Sequence, residues 1–106
     1  MRVKPSQKEQ IEKASRCLKA LSNPVRLAIL CVLKDGEKSV QQLELAVGTS
    51  QSNMSTHLAT MRDKELLLTR REGVQVFYSV KDEKLFLLLA LLQEMYCPED
   101  PEESES

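Results

Sequence analysis

The length, composition and charge of the chain describe one small domain with an aliphatic core. It has 106 residues, 42% of them hydrophobic, with two Phe, two Tyr, no Trp and a net charge of −1. A chain of this size buries a modest share of its surface, so pairing with a second copy is a natural way to bury more. No apolar run approaches the roughly 20 residues that cross a bilayer, which excludes a membrane-spanning protein and predicts a cytoplasmic one.

Two helices are predicted in the N-terminal third. In residues 7–21 the apolar side chains recur at helical spacing, which indicates an amphipathic helix. Asn23 then offers an N-cap and Pro24 a first helical residue whose missing N–H costs nothing. Residues 25–34 continue as a second, largely buried helix, and the Asp-Gly pair at 35–36 ends it.

The middle of the chain predicts two short helices joined by a tight turn. Ser39 caps the first of them, and Gly48 stands where a left-handed residue is expected after its last turn. The next helix begins at Thr49-Ser50, ends near Lys64 and carries a buried stripe of Met54, Leu58 and Met61. This pair is a candidate helix-turn-helix.

The C-terminal third predicts a hairpin and a last helix. Residues 66–71 and 74–80 are apolar or β-branched runs around Glu72-Gly73, which is typical of two paired strands. The last helix, capped by Asp82 and ending at Tyr96, is apolar on every side and must be buried on every side. We therefore expect a mainly α winged helix-turn-helix fold of five helices and two strands that forms a homodimer through its first and last helices.

The end of the chain explains the negative net charge. Residues 98–106 contain only Pro, Asp, Glu and Ser, and they hold five of the 16 acidic residues. The segment 1–97 holds the remaining 11 acidic residues and all 15 basic residues, so its net charge is positive. We expect a folded domain over 1–97 and an acidic, disordered tail over 98–106.

Small polar side chains on the fourth helix predict a surface that reads double-stranded DNA. Side chains of this kind let a helix enter the major groove and bond base edges and phosphates. Those that face away from the buried stripe are Gln51, Ser52, Ser55 and Thr56. Arg70 and Arg71 beside the hairpin tip would reach a neighbouring groove or the backbone, with Arg26, Arg62 and Lys64 as further phosphate contacts. The alternative is an ordinary solvated face.

Three motifs together resemble the ArsR/SmtB family of bacterial dimeric winged-helix repressors, over about residues 12–97. They are LKALSNPVRLAIL at 18–30, SQSNMSTHL at 50–58 and RREGVQVFY at 70–78. The resemblance implies a homodimer that occupies operator DNA and leaves it when an inducer binds. His57 falls where the family has the His of its Ser-x-His-Leu motif, which implies packing or a DNA contact rather than metal ligation.

The metal sites of the family have no counterpart here. Members that bind soft metals or arsenite on the third helix carry a Cys-Val-Cys pattern, whereas this chain has Leu45, Ala46 and Val47. Zinc-sensing members carry Asp, Glu and His ligands along the last helix, but no His lies between Glu83 and Tyr96. We therefore expect no metal and no cofactor.

Two cysteines resemble the branch of the family that senses reactive sulfur species or oxidants. Cys31 lies in the second predicted helix and Cys97 follows the last one. The resemblance implies that oxidation links them directly, or through inserted sulfur atoms when a persulfide is the signal. This chemistry requires at least two cysteines: one thiolate attacks the electrophilic sulfur or the peroxide, and a second thiol resolves the product. The alternative for Cys31 is a small buried apolar residue.

Other functions remain open at this stage. With Cys17, the two cysteines above would form a three-thiol site for arsenite or another thiophilic ion. A winged-helix module that contacts proteins and never DNA is a second alternative. A thiol oxidoreductase is disfavoured because the chain has no C-x-x-C pair and no βαβ pattern. We expect a regulator, not an enzyme.

Overall fold

The computed structural model describes residues 2–96. The predictions for Cys97 and for the acidic segment 98–106 therefore fall outside the described residues. Within 2–96 the chain forms five helices and three strands, in the order α1 Pro5–Leu21, α2 Pro24–Leu33, β1 Lys38–Ser39, α3 Val40–Val47, α4 Gln51–Asp63, β2 Leu67–Glu72, β3 Gln75–Val80 and α5 Lys84–Tyr96. The predicted winged helix-turn-helix fold is confirmed.

The helices begin where side chains satisfy their free N–H groups. The Asn23 Oδ1 atom accepts hydrogen bonds from the backbone N–H groups of Val25 at 2.8 Å and Arg26 at 3.2 Å. Ser39 and Gln42 cap α3 reciprocally, since each side chain accepts the backbone N–H of the other residue. Both N-caps match the sequence prediction, because capping depends on residues only two or three positions apart.

The turn between α3 and α4 also follows from one residue. Gly48 has φ +76°, a left-handed conformation that side chains with a Cβ rarely adopt. Its N–H donates to the carbonyl of Glu44 at 2.8 Å and closes the last turn of α3. The predicted C-terminal glycine of this helix is confirmed.

The hairpin forms an antiparallel ladder in which Leu67 faces Val80 and Glu72 faces Gln75. Sequence reasoning missed the two-residue strand β1, whose residues Lys38 and Ser39 pair with β3, so the strand order is β1-β3-β2. Two residues carry no periodicity, and they become a strand only because the tertiary fold sets them beside β3.

The core lies between the helix-turn-helix pair, α2 and the base of the hairpin. Met54, Leu58 and Met61 are buried as predicted, and α4 packs through them against the rest of the core. The side chains with less than 2% exposure are Ile29, Leu30, Leu43, Met54, Leu58 and Met61. The core therefore contacts one side of α4, and the opposite side of α4 faces solvent.

The terminal helices are covered on one side only. Leu89 is the buried residue of α5, whereas other apolar side chains on α5 and α1 are exposed. We call this set the terminal-helix residues: Ile11, Leu18, Leu87, Leu91 and Met95. The sequence predicts that α5 is buried on every side, but a single chain covers only one side of it. No helix within residues 2–96 has the length and apolar character needed to span a membrane.

Candidate nucleic-acid interface and thiol site

The predicted reading surface lies on the solvent side of α4. Gln51, Ser52, Ser55 and Thr56 are all exposed, opposite the buried stripe. The Thr56 hydroxyl donates to the carbonyl oxygen of Ser52 at 3.0 Å, so towards a ligand it offers its oxygen lone pairs. The four side chains remain our predicted DNA contacts, and the structure places them together on one accessible surface.

Sequence reasoning left out Asn53, which is exposed within the same turn of α4. Its backbone N–H donates to the Ser50 hydroxyl at 3.1 Å, and its side-chain amide nitrogen donates to the Thr49 hydroxyl at 2.6 Å. The amide oxygen has no hydrogen bond within residues 2–96, and the residue is exposed like its neighbours Gln51 and Ser52. Asn53 was left out because it directly precedes the buried Met54, and the helical period alone did not show that it is exposed.

The imidazole of His57 is held by an arginine from another helix. Its Nδ1 atom accepts a hydrogen bond from Arg26 Nε at 3.0 Å, and Arg26 Nη1 donates to the carbonyl of Ala20 at 3.0 Å. Burial, and then the charge of Arg26, lower the pKa of His57, so the ring is neutral at pH 7. A neutral ring that accepts at Nδ1 carries its proton at Nε2 and is a donor there.

The two arginines of the wing, the hairpin β2–β3, have different environments. Arg70 binds the Glu37 carboxylate through Nη2 at 2.7 Å and the Glu72 carboxylate through Nη1 at 2.7 Å. Its guanidinium also lies 4.7 Å from the ring centre of Phe77. The hydrogen bond from Arg70 lowers the pKa of Glu37, and the bonds to Glu37 and Glu72 raise the pKa of Arg70.

Arg71 is exposed and forms no ion pair within residues 2–96. Neighbouring residues of a strand point to opposite faces, which separates Arg71 from the Arg70 cluster. Both arginines were predicted to contact DNA. The geometry makes Arg71 the immediately available cation, whereas Arg70 has to exchange partners to reach a phosphate.

The cysteines differ in accessibility. Cys31 is exposed on α2, so the alternative of a buried apolar residue does not hold for it. Cys17 is half-buried on α1, and burial raises the pKa of its thiol, which lowers its thiolate fraction at neutral pH. Cys97 lies outside the described residues, directly after the end of α5 in sequence. Within 2–96 no three His, Cys, Asp or Glu side chains cluster as metal ligands would.

The family model described as "Bacterial regulatory protein, arsR family" matches residues 23–67, which span α2 to the start of β2. The transcriptional activator HlyU from Vibrio cholerae is 42% identical over 85 residues, covering 80% of this chain and 79% of that protein. The match to this relative is therefore longer than the 45 residues that the family model covers.

Two solved structures show the same architecture. The transcriptional repressor BigR from Xylella fastidiosa superposes with a TM-score of 0.81 at 33% identity, covering 89% of this chain and 96% of that one. A homodimeric winged helix-turn-helix DNA-binding domain from Mycobacterium bovis gives a TM-score of 0.77 at 30% identity, covering 89% of this chain and 87% of that one. Relatives thus include proteins described as an activator and as a repressor.

Proposed function

Because the chain belongs to the arsR family of bacterial regulatory proteins, we propose that it is a homodimeric DNA-binding transcriptional repressor that oxidation of Cys31 and Cys97 releases from its operator. As a member of a family of regulators, it is not an enzyme. The inducer we propose is a reactive sulfur species or an oxidant.

The observation that carries DNA binding is the exposed polar surface of α4 beside the wing. Gln51 and Ser52 lie in the first turn of α4, which is the end that a recognition helix inserts into the major groove. The α4 helix packs against β2, whose Arg71 is free to contact phosphate. We infer that His57 donates from Nε2 to the DNA backbone, with its tautomer set by Arg26.

Dimerisation is supported by the uncovered terminal-helix residues. Leu87, Leu91 and Met95 are 60–66% exposed in the single chain, and Leu18 of α1 is 56% exposed. Leucine and methionine side chains that lie open to water favour an apolar partner surface. A second copy presents the same residues, so a two-fold interface covers both sets at once.

The thiol switch is supported by the position of α2. Cys31 is exposed on this helix, and α2 packs against both α4 and α5. Cys97 follows α5 directly in sequence. A covalent link between these two cysteines would therefore join α5 to the helix that supports the reading surface.

With a persulfide R–S–SH as the oxidant, the chemistry has two steps. The Cys31 thiolate attacks the terminal sulfur, which displaces R–SH and leaves a persulfide on Cys31. The Cys97 thiol then attacks the Cys31 sulfur and displaces hydrogen sulfide, leaving a disulfide. Two thiols are oxidised and one sulfane sulfur is reduced to sulfide. If both cysteines first become persulfides, the same displacement leaves an inserted sulfur atom in the bridge.

The test uses an operator duplex selected from a random library and the purified reduced protein. Its affinity is measured before and after treatment with a persulfide donor, and the intact mass is read on the same samples. We expect loss of binding, a Cys31–Cys97 crosslink and recovery with a reductant. Cys31→Ser and Cys97→Ser should each abolish the response, and Cys17→Ser is the matched control that should keep it.

Two results would contradict the proposal in different places. Unchanged DNA affinity with free thiols after treatment would reject the persulfide and oxidant signal and favour the arsenite site that includes Cys17. Duplex binding with no dependence on salt would reject phosphate contact and favour a protein-interaction module. A reporter assay would separate repression from activation, since a repressor lowers transcription in its reduced state.

A further inference from the structure

A pocket with an unusual charge lies where the last turns of α1 and α4 meet the first turn of α2. Its volume is about 410 Å³. It is lined by Arg16, Lys19, Ala20, Arg26, Thr60 and Lys64, and we call it the basic pocket. Four of the six lining residues are cationic and none is acidic. The pocket lies beside the C-terminal half of α4, and the sequence predicted two of its residues, Arg26 and Lys64, as single phosphate contacts.

None of the four cations forms an ion pair within residues 2–96. Other bases nearby behave differently, because Arg62 pairs with Asp63 at 3.5 Å and Lys81 with Glu65 at 3.7 Å. Among the described residues no carboxylate lines the basic pocket, although Arg16 and Lys64 also line a neighbouring cavity with Asp63, Glu65, Asp82 and Glu83. Like charges around one pocket repel one another, and a bound anion removes that repulsion. The pocket therefore favours a negatively charged occupant.

Arg26 is the fixed element of the pocket. It is half-buried, and its guanidinium is held by His57 Nδ1 through Nε and by the Ala20 carbonyl through Nη1, both at 3.0 Å. The Nη2 N–H groups have no partner within residues 2–96, so the planar fork keeps donors for a ligand. Arg26 also lies in the first turn of α2, where the helix dipole adds positive potential.

From this geometry we propose that the basic pocket binds a phosphate-type oxyanion. Planar guanidinium donors and mobile ammonium groups around one site are the chemistry that recognises phosphoryl oxygens. The oxyanion is either free in solution or part of the DNA backbone, and the second source rests on the proposed function. Thr60 is four residues beyond Thr56, or about 6 Å along the axis of α4, so backbone flanking the reading surface is within reach.

The pocket remains accessible in the proposed dimer. Arg16 is two residues from Leu18, and two residues correspond to a rotation of about 200° around a helix. Arg16 therefore faces away from the side of α1 on which the exposed Leu18 would meet a second copy. We therefore expect that occupation of the pocket does not compete with dimerisation.

The experiment compares the 106-residue chain with the double variant Arg16→Gln, Lys64→Gln, which keeps Arg26 and its structural hydrogen bonds. Lys8→Gln and Lys34→Gln together form the control variant, which also loses two exposed positive charges but changes no residue of the pocket. Thermal unfolding is recorded with sodium pyrophosphate or sodium chloride at matched ionic strength. Binding to a 30-base-pair duplex of arbitrary sequence is recorded as a function of salt. Circular dichroism checks that each variant is folded.

Two results support the site and identify the source of the phosphate. A melting-temperature rise with pyrophosphate that the double variant loses and the control variant keeps identifies a free oxyanion. A decrease of about 0.9 in the slope of log affinity against log salt, seen in the double variant alone, identifies one backbone phosphate. If the folded double variant matches the wild type in both assays, the proposal is wrong. Failure of the wild type to bind any duplex would instead overturn the proposed function.

Discussion

The reading head and the terminal helices of this molecule are built on opposite principles. The reading head, made of α2, α3, α4 and the wing, closes its core within one chain, because Leu30, Leu43 and Met54 have no exposed surface. The terminal helices α1 and α5 leave large apolar side chains open, with Leu87 66% exposed. One chain is thus sufficient for the geometry of the reading surface, whereas the terminal helices need a second surface.

The largest expected effect is loss of the core beneath the reading head. Leu43→Ala removes a side chain with no exposure and should lower the free energy of unfolding by about 2–5 kcal/mol. Leu45 lies on the same helix and is 86% exposed. Leu45→Ala should therefore change the free energy of unfolding by less than about 0.5 kcal/mol. Urea unfolding at equal protein concentration measures both. Equal losses would show that the reading head is not a closed unit.

Next in size is the effect of charge on the terminal helices. Leu87→Glu buries two carboxylates in a symmetric interface, which should weaken the dimer by at least about a hundredfold. Analytical ultracentrifugation of the folded variant should therefore show monomers. Val74→Glu at the wing tip, where the native residue is 96% exposed, is the control that should stay dimeric. A dimeric Leu87→Glu protein would place the interface elsewhere.

Smaller effects are expected on the wing and reading helix, where affinity changes without unfolding. Arg71→Ala should lower duplex affinity by about tenfold for every sequence, since a phosphate contact carries no sequence information. Arg70→Ala should also lower it, through loss of the Glu37 and Phe77 contacts that shape the wing. Gln51→Ala should relax specificity instead. Fluorescence anisotropy on selected and scrambled duplexes separates these cases, and equal losses from all three variants would contradict the assignment.

The smallest effect is a pH dependence from His57. Its pKa is lowered in the folded state, so the unfolded chain binds a proton more readily. Stability from this group is therefore present above the unfolded pKa of about 6.5 and is lost as pH falls towards the lower folded value. Melting temperature should fall more between pH 7.5 and 5.5 in the wild type than in His57→Gln, which does not titrate. Parallel curves would mean that burial and the charge of Arg26 do not lower the pKa of His57 in the folded protein.

The sequence predicted those parts of the fold that depend on near neighbours. Asn23, Ser39 and Gly48 end or begin helices through atoms within four residues, and all three were placed correctly. The start of α1 was expected two residues too late, because Pro5 is also accepted in a first helical turn. The stripe of Met54 and its partners followed from the helical period alone.

Contacts between distant residues decided the rest. The bond from Arg26 to His57 joins positions 31 apart, and the bond from Arg70 to Glu37 joins positions 33 apart. No period or spacing encodes such pairs, so the bond from Arg26 to His57 was not predicted, and Arg70 was treated as equivalent to Arg71. The exposure of Cys31 depends in the same way on how α2 packs, which its apolar sequence neighbours did not reveal.

By itself, the sequence determined the family, the helices and their caps, the hairpin and the buried stripe of α4. These features depend on motifs and hydrogen bonds between residues that are close in the chain. Only the tertiary structure decided which arginine of the wing is free, which cysteine of the helices is exposed and where four cations converge. Those properties depend on which surfaces of separate elements meet, and that is settled when the whole core packs.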